Sequence, residues 1–169
     1  MIASKTAWLS VAILLILAGS PSQVRAATPA AAQWSIQVDK IDPGDVTIEP
    51  AFVVAIYENL LVELGKKHQF KQVFRSGDQN AAGPLLILKT TVQKYSPGSE
   101  TKRAVTTVAG ATKLNVKSQL CTRDGQVVLE KVVNGNVRFF GSNLRATHNL
   151  AHNIAKELTK STLPEPKGS

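Results

Sequence analysis

The chain has 169 residues, with 20 basic and 12 acidic side chains for a formal charge of +8, 43% hydrophobic residues and a single cysteine, Cys121. That length fits one domain of ordinary size, and a lone cysteine excludes an internal disulfide. The basic balance turns the search for partners toward anions.

In chain order, the N-terminus shows the three zones of a cleavable export signal. Lys5 supplies the positive charge, Trp8 to Ala18 an apolar run broken only by Ser10, and Gly19-Ser20-Pro21 a break before Val24-Arg25-Ala26. The small residues there fit cleavage after Ala26. The apolar run is shorter than the ~20 residues that a transmembrane helix needs. No cysteine near the cleavage site offers a lipid anchor, so no stable membrane attachment is expected after processing. Removing 26 of 169 residues leaves 143, and the loss of Lys5 and Arg25 takes the formal charge from +8 to +6. The expected organisation is a signal peptide over 1–26, a flexible leader over 27–33, one α+β domain over 34–160 and a disordered tail over 161–169.

Trp34, Ile36 and Val38 alternate with polar residues and predict a strand over 34–39. Asp42-Pro43-Gly44-Asp45 is turn chemistry. Pro50 suits the first position of a helix. Val53, Ile56, Tyr57, Leu60, Leu61 and Leu64 then recur at helical spacing as one buried stripe, and Gly65 with Lys66, Lys67 and His68 ends it. Phe70 to Phe74 reads as a short strand and Ser76 to Pro84 as a loop. Leu85 to Tyr95 is the longest strand, with Leu86, Leu88, Thr90 and Val92 on one face; its doubly apolar first half places it centrally. Ser96 to Glu100 makes a turn, and 103–108 reads as a short return strand.

Lys113 to Thr122 alternates cleanly, and Asp124-Gly125 reads as a two-residue hairpin turn. That turn sets Cys121 against Val128, Leu120 against Leu129 and Ser118 against Lys131. The return strand runs from Gln126 to Phe139, with a bulge or kink at Asn134-Gly135. A last helix over 142–160, capped by Ser142, turns Leu144, Leu150, Ala151, Ile154, Ala155 and Leu158 inward. The order β-α-β-β-β-β-α predicts an α+β fold: an antiparallel sheet of about five strands with two helices packed on one face.

Several residue groups carry candidate chemistry. His148 and His152 lie four apart on the last helix and could face one metal ion, but His148-Asn-Leu-Ala-His152 lacks the glutamate of a zincin site, and His68 is the only other histidine. Asp39, Asp42 and Asp45 lack calcium-loop spacing and read as turn formers. Ser118 opposite Lys131 has the spacing for a Ser–Lys dyad, which would need a desolvated, neutral lysine; a lysine reaching past the sheet rim is the competing reading. Cys121 has no histidine near it in sequence. Neither a nucleophile elbow nor a phosphate loop is present. No cofactor is expected. Lys113 and Lys117 share the outward face of one strand with Asn115, Gln119 and Cys121, opposite Val128, Glu130 and Val132, while Lys94, Lys102 and Arg103 flank the preceding turn. This basic patch has no interleaved aromatics for base stacking, so nucleic acid is not an expected partner.

Pro97-Gly98-Ser99 followed by Arg103, then Gly110-Ala111-Thr112-Lys113-Leu114, Asp124-Gly125 within a hairpin, and Gly135-Asn-Val-Arg-Phe-Phe-Gly141 before an Ala-rich helix carry a family likeness. From about Trp34 to Thr162 the chain resembles the bacterial exported family numbered 4410 among the domains of unknown function. It has Val108-Ala109-Gly110-Ala111 where members carry a richer glycine run, and it lacks their lipobox cysteine. The resemblance implies an α+β envelope domain and carries over no catalytic residue.

These readings converge on an exported cell-envelope accessory or binding protein without catalytic activity. Its binding residues would be Lys113 and Lys117, and its partner an envelope protein, an anionic envelope component or a second copy. A small periplasmic hydrolase using Ser118 and Lys131, or a metal-binding protein using His148 and His152, are the alternatives. The export reading has a direct test: the secreted chain should begin at Ala27, and an intact mass retaining Met1 in the exported fraction would refute it.

Overall fold

The computed structural model describes residues 33–105, 110–137 and 142–166. The export signal lies outside the described residues, as does the leader apart from Gln33. The elements in order are β1 (Ser35–Val38), α1 (Pro50–Gly65), β2 (Val73–Phe74), β3 (Leu85–Ser96), α2 (Glu100–Val105), β4 (Thr112–Thr122), β5 (Val127–Val137) and α3 (Arg145–Lys160).

The five strands form one sheet in the order β2-β1-β3-β4-β5. It is mixed, which corrects the antiparallel expectation: β1 runs parallel to both β2 and β3, whereas β3-β4 and β4-β5 are antiparallel. The cause is connectivity. Helix α1 carries the chain back from the end of β1 to its start, and a helical crossover yields parallel neighbours. The segment between β2 and β3 must make the same return without a helix. Phe74, Ala81 and Leu85 bury one another there in a small second cluster, on the sheet face opposite the helices.

The second correction is α2. Residues 100–105, which include the start of the expected return strand, are helical, with the Ser99 hydroxyl accepting from the Lys102 amide at 3.3 Å as an N-cap. The rest of that expected strand, 106–109, lies outside the described residues. The element order is therefore β-α-β-β-α-β-β-α.

Helices α1 and α3 lie side by side on one face of the sheet. The core between them contains Ile36, Val38, Leu86, Leu88, Val92, Leu114, Val116 and Leu120 from the strands. Ile56, Leu60 and Leu64 come from α1, and Leu150, Ile154 and Leu158 from α3. In α1 the buried residues are Phe52, Ile56, Leu60, Glu63 and Leu64, while Val53, Tyr57 and Leu61 are half-buried. Helix α3 starts at Arg145, later than expected, because Ser142 caps a preceding turn: its hydroxyl accepts from the Leu144 amide at 3.1 Å. Leu144 consequently stays exposed rather than turning inward. The segment after α3, read as a disordered tail, is docked as far as Pro166. The Trp34 indole N–H donates to the Pro164 carbonyl at 2.7 Å, and Leu163 packs on the core.

The β4–β5 hairpin keeps the expected register from Thr112 to Leu120, with Ser118 opposite Lys131. It does so by two offsetting irregularities. The loop is one residue longer than expected: the Thr122 amide donates to the Gln126 carbonyl at 2.8 Å, and Gly125 takes the left-handed conformation, φ +89°. Cys121 then pairs with Val127 instead of Val128, and Val128 is the extra residue that restores register.

Asn134 and Gly135 pair in register with Asn115 and Leu114, so the expected bulge there is absent. Gly135 marks a close approach instead. A Cβ on it would lie 2.7 Å from the Leu150 amide nitrogen and closer still to the Ala146 carbonyl and Leu150 Cβ. Gly135→Ala should therefore lift α3 off the sheet and cost roughly 1–3 kcal/mol or more by overpacking. Gly65→Ala, with nothing within 4 Å, should be neutral or stabilising by up to ~1 kcal/mol. Urea denaturation of both variants would check the contrast.

Candidate functional site

The face of the sheet turned away from the helices is built by alternation. Because Leu114, Val116, Ser118 and Leu120 point into the core, Lys113, Asn115, Lys117 and Gln119 point out. Register extends this row across the sheet: Lys89 lies beside Gln119 and Glu130, Thr91 beside Lys117 and Val132, and Lys94 beside Asn115 and Asn134. Four lysines thus occupy one face, of which Lys89, Lys94 and Lys113 are exposed and Lys117 is half-buried. Glu130 is the one carboxylate among these partners on β3, β4 and β5, and it accepts from the Gln119 amide at 2.6 Å. The Asn115 amide donates to the Asn134 side chain at 2.8 Å. Among the described residues none of the four lysines enters a salt bridge. The face carries uncompensated positive charge set among amides and hydroxyls.

Cys121 departs from the expectation for this face, because it is buried, only 3% exposed. Its end of the sheet lies near the β2–β3 loop, which is tied down by the Arg123 guanidinium donating to the Ala81 carbonyl at 2.6 Å. The outer edge of β5 is also partly closed. Side-chain amides of Asn149 and Asn153 donate to the carbonyls of Asn136 and Asn134, both at 2.8 Å, and Lys131 adds an exposed charge further along. Capped carbonyls and an edge lysine discourage strand addition along this part of β5.

The other candidate groups are not assembled. Ser118 is buried with its hydroxyl unpartnered, whereas Lys131 is exposed; register opposes them, but burial separates their side chains. Asp42 accepts from the Gly44 amide at 2.9 Å, and Asp39 accepts from the Lys40 amide and the Ser76 hydroxyl, which are turn and loop contacts. His68, His148 and His152 are exposed, and among the described residues no three histidine, cysteine or carboxylate groups gather as a metal site. No described helix is long and apolar enough to cross a membrane.

Beside His152 the structure holds a group that sequence reasoning passed over. Glu63 is buried between α1 and α3. Its carboxylate takes the Lys66 ammonium at 2.5 Å on one oxygen and His152 Nδ1 at 3.2 Å on the other. Its spacing from Ile56 and Leu60 put it on the buried stripe, so helical arithmetic could have found it. The Lys66 ammonium, helped by His152, holds the Glu63 carboxyl below its ordinary value of 4.5 against the opposing effect of burial.

The model of the family described as Domain of unknown function (DUF4410) matches residues 25–141. The chain belongs to that family. No curated protein matches this DUF4410 member. Among solved structures, its fold is similar to a PelC dodecamer from Paraburkholderia phytofirmans, with a TM-score of 0.58 at 16% identity over 77% of this chain and 91% of that one. A substituted PelC dodecamer from the same organism matches with a TM-score of 0.58 at 17% identity, over 77% and 90%. The hypothetical protein CT253 of Chlamydia trachomatis gives a TM-score of 0.49 at 4% identity, over 76% and 94%.

The Glu63 cluster yields a pH prediction. A carboxyl whose folded value is depressed contributes stability that is complete above its ordinary value and lost as pH falls through the folded one. Stability should therefore decline as pH drops below about 4.5, and Glu63→Gln should be less stable at neutral pH with a shallower acid dependence. Urea midpoints across that pH range would show the two curves converging at low pH; parallel curves would count against the cluster.

Proposed function

We propose that this DUF4410 protein is an exported, non-catalytic envelope module that binds an anionic envelope component through the lysine face of its sheet. The observation that carries the reading is the set Lys89, Lys94, Lys113 and Lys117, none in a salt bridge among the described residues, on a sheet face turned away from α1 and α3. Core packing does not need these lysines, since every one points away from it. Amides and hydroxyls between them supply hydrogen bonds for an anion once charge has brought it in. The export signal expected over residues 1–26 supports a contact in the periplasm or outside the cell. Self-association belongs to the same proposal, because the fold is shared with a PelC that forms a dodecamer.

The test is association of the processed protein with immobilised envelope extract, followed in real time at several salt concentrations. Binding should weaken as salt shortens the Debye length from ~10 to ~3 Å. Lys113→Glu with Lys117→Glu should lower the association rate more than the dissociation rate is raised, with an unchanged circular dichroism spectrum. Equal binding by the double variant and the native protein would reject the proposed face.

A further inference from the structure

Helix α1 breaks the amphipathic rule that α3 obeys. Both lie on the same face of the sheet and both bury one stripe, yet their outward rows differ in composition. The outward residues of α3 include His148, His152, Asn153, Lys156 and Lys160. On α1 the outward row at helical spacing is Ala51, Val54, Glu58, Val62 and Gly65. Val54 is 59% exposed and Val62 53% exposed. A helix that is apolar all round is ordinarily covered all round, and nothing among the described residues covers this side.

The one charge in that row is cancelled in place. Both Glu58 oxygens accept from the Arg75 guanidinium, at 2.7 and 2.8 Å, and the guanidinium lies 5.7 Å from the centroid of the Tyr57 ring. The result is an apolar helix row with its own charge paired, bordered by the single lysine Lys40, on a chain with a formal charge of +8. Two copies of such a chain repel over most of their surfaces, so a face without net charge is where they can meet. An anionic partner would be drawn to the lysines on the other side instead.

We infer that the outward face of α1 is a self-association surface on which a second copy packs its own α1 antiparallel, with the two-fold axis passing near Glu58. Val54 and Val62 stand four residues to either side of Glu58. Antiparallel packing therefore sets Val54 of one copy against Val62 of the other and repeats the contact, as a two-fold interface requires. That arrangement brings the two Glu58 carboxylates together at the centre. It is tolerable only because each is already forked to its own Arg75, and Arg75 with Tyr57 supplies the residue types that dominate interface energetics. The inference rests on the self-association in the proposed function and names one surface for it, a contact that by itself closes at two copies. It lies across the molecule from the lysine face, so either can fail alone.

Sedimentation equilibrium of the processed protein from about 1 to 100 μM would test it. The native protein should dimerise with rising concentration. Val54→Glu with Val62→Glu should be monomeric with unchanged helical content. Arg75→Ala should weaken dimerisation at least about tenfold by leaving two carboxylates unpaired, and adding Glu58→Gln should restore it. That rescue separates the antiparallel arrangement from a merely sticky patch. A native monomer throughout, undiminished association of the valine variant, or an Arg75→Ala variant that associates normally would each overturn the inference. So would a monomeric protein that binds neutral phosphatidylcholine vesicles through Val54 and Val62, which would make the face a membrane contact.

Discussion

The seating of α3 on Gly135 is the contact on which the rest of the arrangement depends. With no side chain at that position of β5, the helix backbone at Ala146 and Leu150 sits directly on the strand. Close seating lets Leu150, Ile154 and Leu158 reach Val116, Leu120 and Val133 in the core. It also fixes where α1 can go, since α1 occupies the remaining width of that face and packs along α3. Two polar links cross the helix pair, Asn59 to Thr147 at 2.9 Å and Glu63 to His152 at 3.2 Å. Both depend on the depth at which α3 lies. Lifting α3 by the radius of a methyl group would open these links together with the core, because a close-packed interior transmits such a strain rather than absorbing it.

Stacking both helices on one side also determines how charge is distributed. One face of the sheet is spent on packing and the other is left to water, where alternation alone exposes Lys89, Lys113 and Lys117. The helix layer in turn has its own outer surface, polar over α3 and neutral over α1. The molecule therefore presents a cationic side and an uncharged apolar side with the core between them. Chemistry that attracts anions and chemistry that tolerates a like-charged copy are kept apart by the thickness of the domain. The two proposed contacts would therefore not compete for one surface.

How much of this was legible in the sequence varies with how local the determining interaction is. The buried stripe of α3 from Leu150 to Leu158, the alternation of β4 and the outward placement of Lys113 and Lys117 are read from spacing, and the structure keeps them, Leu144 excepted. The hairpin register was also legible, although its agreement conceals a longer loop at Gly125 and an extra residue at Val128 that offset one another. The parallel pairing of β1 was not legible from periodicity, because strand direction is decided by where α1 delivers the chain. Cys121 shows the same limit: alternation faces it outward, but burial there is a long-range effect that no neighbour in sequence announces. The meaning of Gly135 was legible only in part, since a glycine within a strand marks either a bulge or a close approach, and the helix that decides between them begins ten residues later.

Most of the polar groups inside the fold are held by neighbouring elements. Thr112 donates to the Asn143 side chain at 2.7 Å, and Thr147 donates to the Leu144 carbonyl at 2.7 Å while accepting from Asn59. Glu63, the buried carboxylate among the described residues, is held by a lysine and a histidine that both reach solvent. Thr90 and Ser118 face each other across β3 and β4 beneath the helices, both buried. These groups hold helix ends, join helices or fill the core. Among the described residues the fold leaves charge exposed on one side and apolar side chains on the other, the two surfaces on which the proposals rest.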